Sequence, residues 1–296
     1  MKVKYLSLLL TGLIFSSCEK SIQNSQNPAF QELATKTKSD ISIAATGVTL
    51  NADGPGNTYS LINSVLGGTA YEVPDCGHAQ NHISEVFDPV LNTNVFVFSA
   101  HVALDDDRCQ ATDRQRTEIK TYGPSPANLK ATNGETVTYR WKFKIDAGFK
   151  ASSSFTHLHQ IKAGDGDDAG APLITITPRY GANNTDKMEL IHVNSSGTST
   201  KVKIVNLAPF KGNWVEVVET IKFGSSGTYN IAINKVSDGT SLLSYSSSNI
   251  DLWRSGTTFC RPKWGIYRSL NNPSQLRDED VRFANFCIAE GSATCQ

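Results

Sequence analysis

The 296-residue sequence carries no net charge, 28 lysines and arginines standing against 28 aspartates and glutamates. That balance supplies no standing positive field of the kind a nucleic acid or an anionic bilayer calls for, so neither is expected as a partner. Methionine is scarce, with two residues, and no stretch keeps apolar residues at helical spacing. Helical and βαβ architectures are therefore not expected. Apart from Leu6–Phe15, no apolar run approaches the length of a bilayer span. P-loop and serine-hydrolase motifs are missing. So is any strand with the Glu-x-Asp-x-x-Glu carboxylates with which a sandwich glycosidase would flank its sugar. Asp278, Glu279 and Asp280 read instead as turn residues at a strand entrance. No Cys-x-x-Cys pair occurs, and zinc is not expected.

What is present begins with a leader. Lys2 and Lys4 precede Leu6–Phe15, and Ser16-Ser17-Cys18 follows, the pattern of a bacterial lipoprotein signal. Residues 1–17 are expected to be removed and Cys18 lipidated. Residues 18–45 are polar without an apolar period and are expected to tether one folded domain, 46–296. The protein is then expected as a monomer at the cell envelope or surface, or secreted, meeting the membrane only through its lipid. Five further cysteines remain, an odd number; proximity in sequence pairs Cys76 with Cys109 and Cys287 with Cys295.

About a dozen short runs separated by turn residues read as strands, from Val95–Val102 to Val281–Ala289. In Thr136–Ile145, for example, Tyr139, Trp141, Phe143 and Ile145 alternate with Arg140, Lys142 and Lys144. No amphipathic helix stands out. The expected fold is all-β: an antiparallel two-sheet sandwich of jelly-roll form, one sheet burying one face and offering the other as a concave groove.

Three strands carry candidate chemistry. In 113–120, alternation puts Arg114, Arg116, Glu118 and Lys120 on one side, a set suited to gripping carboxylate or sulfate with Glu118 holding an arginine in place. In 155–162, His157 and His159 are expected on a shared face, with Gln160 beside them and Thr175, Thr177 and Arg179 on the next strand. Imidazole titrates where proton transfer near neutrality needs it. In 261–268, Arg261, Lys263, Gly265 and Tyr267 share a face opposite Pro262, Trp264, Ile266 and Arg268, the glycine leaving room for something to lie close to the backbone. The acidic loop 164–170 offers Asp165, Asp167 and Asp168 to a possible structural Ca²⁺. His78, His82, His101 and His192 are held in reserve.

Taken together and in this order, the three strands resemble those of the jelly-roll (concanavalin A-like) polysaccharide lyases. Arg116-Thr-Glu-Ile119, His157-Leu-His159 and Lys263-Trp-Gly-Ile-Tyr267 match the Arg-Thr-Glu-Leu, Gln-Ile-His and Lys-x-Gly-x-Tyr strands of alginate lyases. Lys263–Arg268 also looks like a strand of the glucuronan and heparin lyases. The longer phrases 113–122 and 154–162 are most similar to ulvan lyases of marine flavobacteria, polysaccharide lyase family 28. His157 stands where the alginate lyases carry glutamine, which weighs against alginate as the polymer. The resemblance implies β-elimination at a uronic acid in an acidic polysaccharide, with no cofactor in the chemistry. Arg116, with His157, would neutralise the C6 carboxylate. His159 or Tyr267 would take the C5 proton, and Tyr267 would return one to the leaving O4. Arg114, Glu118, Gln160, Thr175, Arg179, Lys263 and Arg268 would contact or position the substrate.

Overall fold

The computed structural model describes residues 45–296 except Gly77, Asp167 and Gln296, and residue 184 by its backbone alone. The expected leader, lipidation at Cys18 and tether up to residue 44 lie outside the described residues.

Among the described residues, fifteen strands and one α-helix run in chain order, with short 3₁₀ turns between some of them. The first group is β1 (Val48–Leu50), helix α1 (Thr58–Leu66), β2 (Tyr71–Glu72), β3 (Ile83–Asp88), β4 (Thr93–Ala100) and β5 (Arg114–Lys120). The middle group is β6 (Thr136–Lys144), β7 (Thr156–Ala163), β8 (Pro172–Arg179), β9 (Lys187–Val193) and β10 (Ser199–Asn206). The chain closes with β11 (Val215–Lys222), β12 (Gly227–Lys235), β13 (Ser241–Ile250), β14 (Cys260–Ser269) and β15 (Glu279–Glu290).

They form two antiparallel sheets. One has the order β13-β12-β11-β6-β15-β4-β3, with β1 added on β15; the other runs β10-β9-β8-β7-β14-β5-β2. The expected sandwich is what the chain forms. Its core is filled by inward residues of both sheets, with Trp141, Tyr139 and Phe143 of β6 meeting Trp264 of β14 and Phe283 and Phe286 of β15. Rings of this size bury enough apolar area to dominate the cohesion of such an interface.

All twelve strands expected from alternation are present, with ends shifted by a few residues. Helix α1 was not expected; it buries Ile62 and Leu66, four apart, against the core. Both expected disulfides, Cys76–Cys109 and Cys287–Cys295, are formed, and Cys260 is free and buried.

Candidate active site on the outer face of the seven-stranded sheet

Register assembles the site. β14 runs between β7 and β5, and Tyr267 lies directly opposite His157 on one side and Arg116 on the other. Side chains directly opposite on antiparallel strands stand about 5 Å apart at Cβ. Three residues distant in sequence thus form one row on the face turned away from the core. The Arg116 guanidinium carbon lies 3.6 Å from the centre of the Tyr267 ring. The His157 ring stacks on Phe155 with centroids 5.1 Å apart, and Phe155 and Tyr267 are 5.0 Å apart. Arg114 donates from Nη1 to the Tyr267 hydroxyl oxygen at 3.1 Å, while Asp113 holds its Nε and Nη2.

His157 has a defined tautomer. Its Nδ1 lies 2.7 Å from the Thr177 hydroxyl, which itself donates to Thr175 at 3.0 Å. With that hydroxyl proton committed, His157 must donate from Nδ1, and Nε2 is left with a free lone pair. Burial, reinforced by the charges of Arg179 and Arg116, lowers its pKa to about 3 against the pull of Glu118. The imidazole is therefore neutral near pH 7 and able to accept a proton.

His159 is elsewhere, correcting the expectation that the two histidines share a face. Two residues of β14, Gly265 and Ile266, oppose the single Leu158 of β7, so the pairing shifts by one between Trp264–His159 and Tyr267–His157. Such a bulge breaks strict alternation. Leu158 and His159 both turn inward, and His159 is 1 % exposed, 4.4 Å from the Trp141 ring. Its Nε2 meets Glu219 at 2.9 Å and its Nδ1 meets the Lys263 carbonyl at 2.9 Å. Both nitrogens face acceptors, so neither has a lone pair for a substrate proton. Gly265 also corrects an expectation. A Cβ there would lie 2.1 Å from Thr117 O, so the room beside the glycine is taken by β5 and not by a ligand.

Beyond Tyr267 the same face is closed by an ion cluster. Glu118, wholly buried, accepts from Arg116 at 2.7 Å, Lys263 at 2.5 Å and Gln160 at 2.5 Å. Glu72 of β2 meets Lys263 at 2.5 Å, Lys120 at 2.7 Å and Arg116 at 3.3 Å. Asp107 clamps Arg116 through Nε and Nη2 at 2.7 and 3.0 Å. Burial would raise the carboxyl pKa of both glutamates, but the Lys263, Lys120 and Arg116 charges overcome it at Glu72, and Lys263 and Arg116 at Glu118; both end below the usual range. Counting donors, Arg116 keeps a single N–H on Nη2 for a ligand, and Lys263 is buried under its two partners. Glu118 and Gln160 thus position Arg116 and Lys263. Glu72 and Asp107 went unnoticed in the sequence because a two-residue strand and an irregular loop carry no period.

The remaining expected contacts divide. Thr175 and Thr177 lie on the outer face in the His157 chain. Arg179 is committed to Glu189 at 2.5 Å and to the carbonyls of Ser153 and Ser154, so it holds the segment bearing Phe155. Arg268 faces between the sheets, fully buried, with Nε on Gln115 at 2.6 Å and Nη2 on the Ala100 carbonyl; it is not a substrate contact. Arg261 and Lys162 stand opposite each other on β14 and β7, and Arg261 is half-buried, with Nε and Nη1 unpartnered. In the acidic loop, Asp165 accepts from Thr257 and Thr258, and Asp168 pairs with the Arg254 guanidinium at 3.1 Å. These carboxylates do not fit a Ca²⁺ site, because protein donors occupy one and a fixed cation the other. Asp167 lies outside the described residues.

The comparisons with known proteins point one way. Residues 64–286 match the family model described as "Polysaccharide lyase". Among solved structures, the chain is similar to a marine alginate lyase from Aplysia kurodai (11 % identity, TM-score 0.56, covering 83 % of this chain and 100 % of that one). It is also similar to an endo-β-1,4-glucuronan lyase from Trichoderma reesei (16 %, 0.50, 76 % and 94 %) and an alginate lyase from Klebsiella pneumoniae (12 %, 0.52, 75 % and 95 %). At these identities the likeness is one of fold. No curated protein matches the chain.

Proposed function

Since the chain belongs to the polysaccharide lyase family, we propose that it cleaves a uronic-acid-containing polysaccharide, ulvan foremost, by β-elimination across the His157–Tyr267–Arg116 row. The observation that carries this reading is the row itself: a neutral imidazole with a free Nε2, a phenol, and two guanidinium groups around that phenol, all on one sheet face. His157 Nε2 takes the C5 proton of the uronate. The electron pair released forms the C4–C5 double bond as the C4–O4 bond breaks, and the Tyr267 hydroxyl donates its proton to O4. Solvent then reprotonates Tyr267 and deprotonates His157. Arg114, more exposed than Arg116, binds the C6 carboxylate together with the one N–H that Arg116 has left, so that negative charge building at C5 spreads onto a neutralised group. No cofactor takes part.

A sulfated polymer is favoured by Arg261 and Lys162. They stand six residues along β14 from Tyr267, about 20 Å at strand rise, and Arg261 has no partner for Nε or Nη1. An anionic group on a sugar remote from the cleaved bond satisfies both. We further read the protein as exported and lipid-anchored through Cys18 at the cell envelope, a compartment in which the two disulfides are stable.

The test is the ultraviolet absorbance of the unsaturated uronate during incubation with ulvan, glucuronan, alginate and heparin. A rise with ulvan above the other three is expected. A flat trace on all four with the polymers bound would make this a glycan-binding protein instead, and a rise confined to glucuronan would move the substrate and keep the chemistry.

A further inference from the structure

Away from the Tyr267 row, four side chains that the reaction does not use converge behind the 101–109 loop. His82 Nε2 lies 3.0 Å from Asp105 Oδ1, His78 Nε2 lies 3.4 Å from the same oxygen, and the three ligand atoms sit within 4.8 Å of one another. His101 adds Nδ1 at 3.3 Å from His82 Nε2 and 3.2 Å from Asp105 Oδ2. We propose that His78, His82 and Asp105 form a binding site for a divalent transition-metal ion, zinc in the first place, that anchors this loop, with His101 standing beside it.

Three features support it. The first is spacing. Ligands placed tetrahedrally at zinc–nitrogen and zinc–oxygen distances stand about 3.3 Å from one another, and Asp105 Oδ1 lies 3.0 Å from His82 Nε2 and 3.4 Å from His78 Nε2. The second is the orientation of His82. Its Nδ1 lies 2.7 Å from the Asp75 carboxylate, which can only accept, so Nδ1 is a donor and Nε2 is the nitrogen turned to Asp105. Asp75 is itself held at 2.5 Å by the Tyr59 hydroxyl. A carboxylate that fixes one imidazole nitrogen while the other faces a convergent ligand set is the usual outer support of a metal-bound histidine. The third is burial. His82 and Asp105 are nearly wholly buried, so the Asp105 charge needs a cation beside it, which a proton on His82 Nε2 supplies in the metal-free chain and a metal would supply in its place. A cleft of about 280 Å³ lined by His78, His82, Ser99, His101 and Leu104 leaves a route in from solvent.

An imidazole-rich set with one carboxylate suits zinc over calcium or magnesium, which prefer oxygen. Such a site runs against the expectation of no zinc; His78 and His82 are separated by three residues, which lets both reach one ion. The site also reaches the outer face. Asp105 is two residues from Asp107, which clamps Arg116, and Cys109 is tied to Cys76 close by. The inference stands whether or not the chain is an ulvan lyase.

The full-length protein, stripped with a chelator and gel-filtered after exposure to zinc, is expected to retain one zinc per chain by elemental analysis and to melt higher with zinc than without. Cobalt in its place should give the visible absorption of a tetrahedral site. His78→Ala, at the more exposed ligand, should lose the cobalt band and the zinc-dependent rise in melting temperature, and Asp75→Asn should weaken affinity about 10- to 100-fold. His192→Ala, remote from the cluster, should change none of these. Wild-type protein without stoichiometric zinc, or ligand variants that bind it as wild type does, would overturn the proposal.

Discussion

His157 and His159 are two residues apart on one strand, and their surroundings differ in nearly every respect. Outside the sheet, His157 has one nitrogen tied to Thr177, the other free, and a phenol and two arginines nearby. Between the sheets, His159 is closed in by Trp141 and Trp264, with both nitrogens used by Glu219 and Lys263. The first has an unused valence facing solvent; the second is a structural crosslink joining β7 to β11 and β14. A single bulge at Gly265 and Ile266, opposite Leu158, separates the two fates. The same contrast holds along the outer face, where Tyr267 and Arg114 keep open donors while Lys263, Glu118 and Glu72 neutralise one another. Residue type alone does not locate chemistry; unspent hydrogen-bonding capacity does.

The comparison yields predictions of decreasing size. Tyr267→Phe removes the proposed proton donor to O4 and is expected to cut turnover about a thousandfold, with the melting temperature unchanged. A variant at wild-type rate would remove Tyr267 from the reaction. His159→Ala leaves the buried Glu219 carboxylate with Tyr229 alone and opens a cavity under Trp141. Denaturant unfolding should show a loss of about 3 kcal/mol. Equal stability in His159→Ala and His157→Ala would erase the distinction drawn between them.

A third prediction concerns the ion cluster. Glu72 and Glu118 have folded pKa values below their unfolded ones, so the stability they contribute is complete above an unfolded value near about 4.3. It is lost as pH falls from there through the folded values. Thermal melts should therefore decline on acidification below about pH 4, and Glu118→Gln should flatten that decline while costing stability at neutral pH. The smallest effect belongs to Lys162, whose pKa burial and the charges of Lys263 and Arg261 lower to about 8. As pH rises through that value the ammonium loses its charge, and KM for an anionic polymer should climb about fivefold. Lys162→Arg should remove the step. A pH-independent KM would mean that Lys162 does not touch the polymer.

Much of this was legible in the sequence because an antiparallel sandwich writes its faces as period two. Arg114, Arg116, Glu118 and Lys120 came out on one side, as did Lys263 and Tyr267, since β5 and β14 pair without interruption. What escaped is what period two cannot carry. The bulge turned His159 inward, and nothing in Thr-His-Leu-His-Gln announces it. β2 is two residues long and exists through its pairing with β5, so Glu72 could not be assigned to the cluster. Arg268 fell on the inner face as alternation requires, and Gln115 and the Ala100 carbonyl make a fully buried guanidinium tolerable there. Helix α1 spans nine residues, short enough for its two buried apolar positions, Ile62 and Leu66, to look like chance.

The account rests on His157 as the base, and one time course addresses it most directly: unsaturated-uronate absorbance produced from ulvan by wild-type and His157→Ala protein at equal concentration and pH. The expected result is a steady rise for wild type and a rate at least about a hundredfold lower for the variant, with both proteins melting at the same temperature. A His157→Ala protein that keeps the wild-type rate would contradict it.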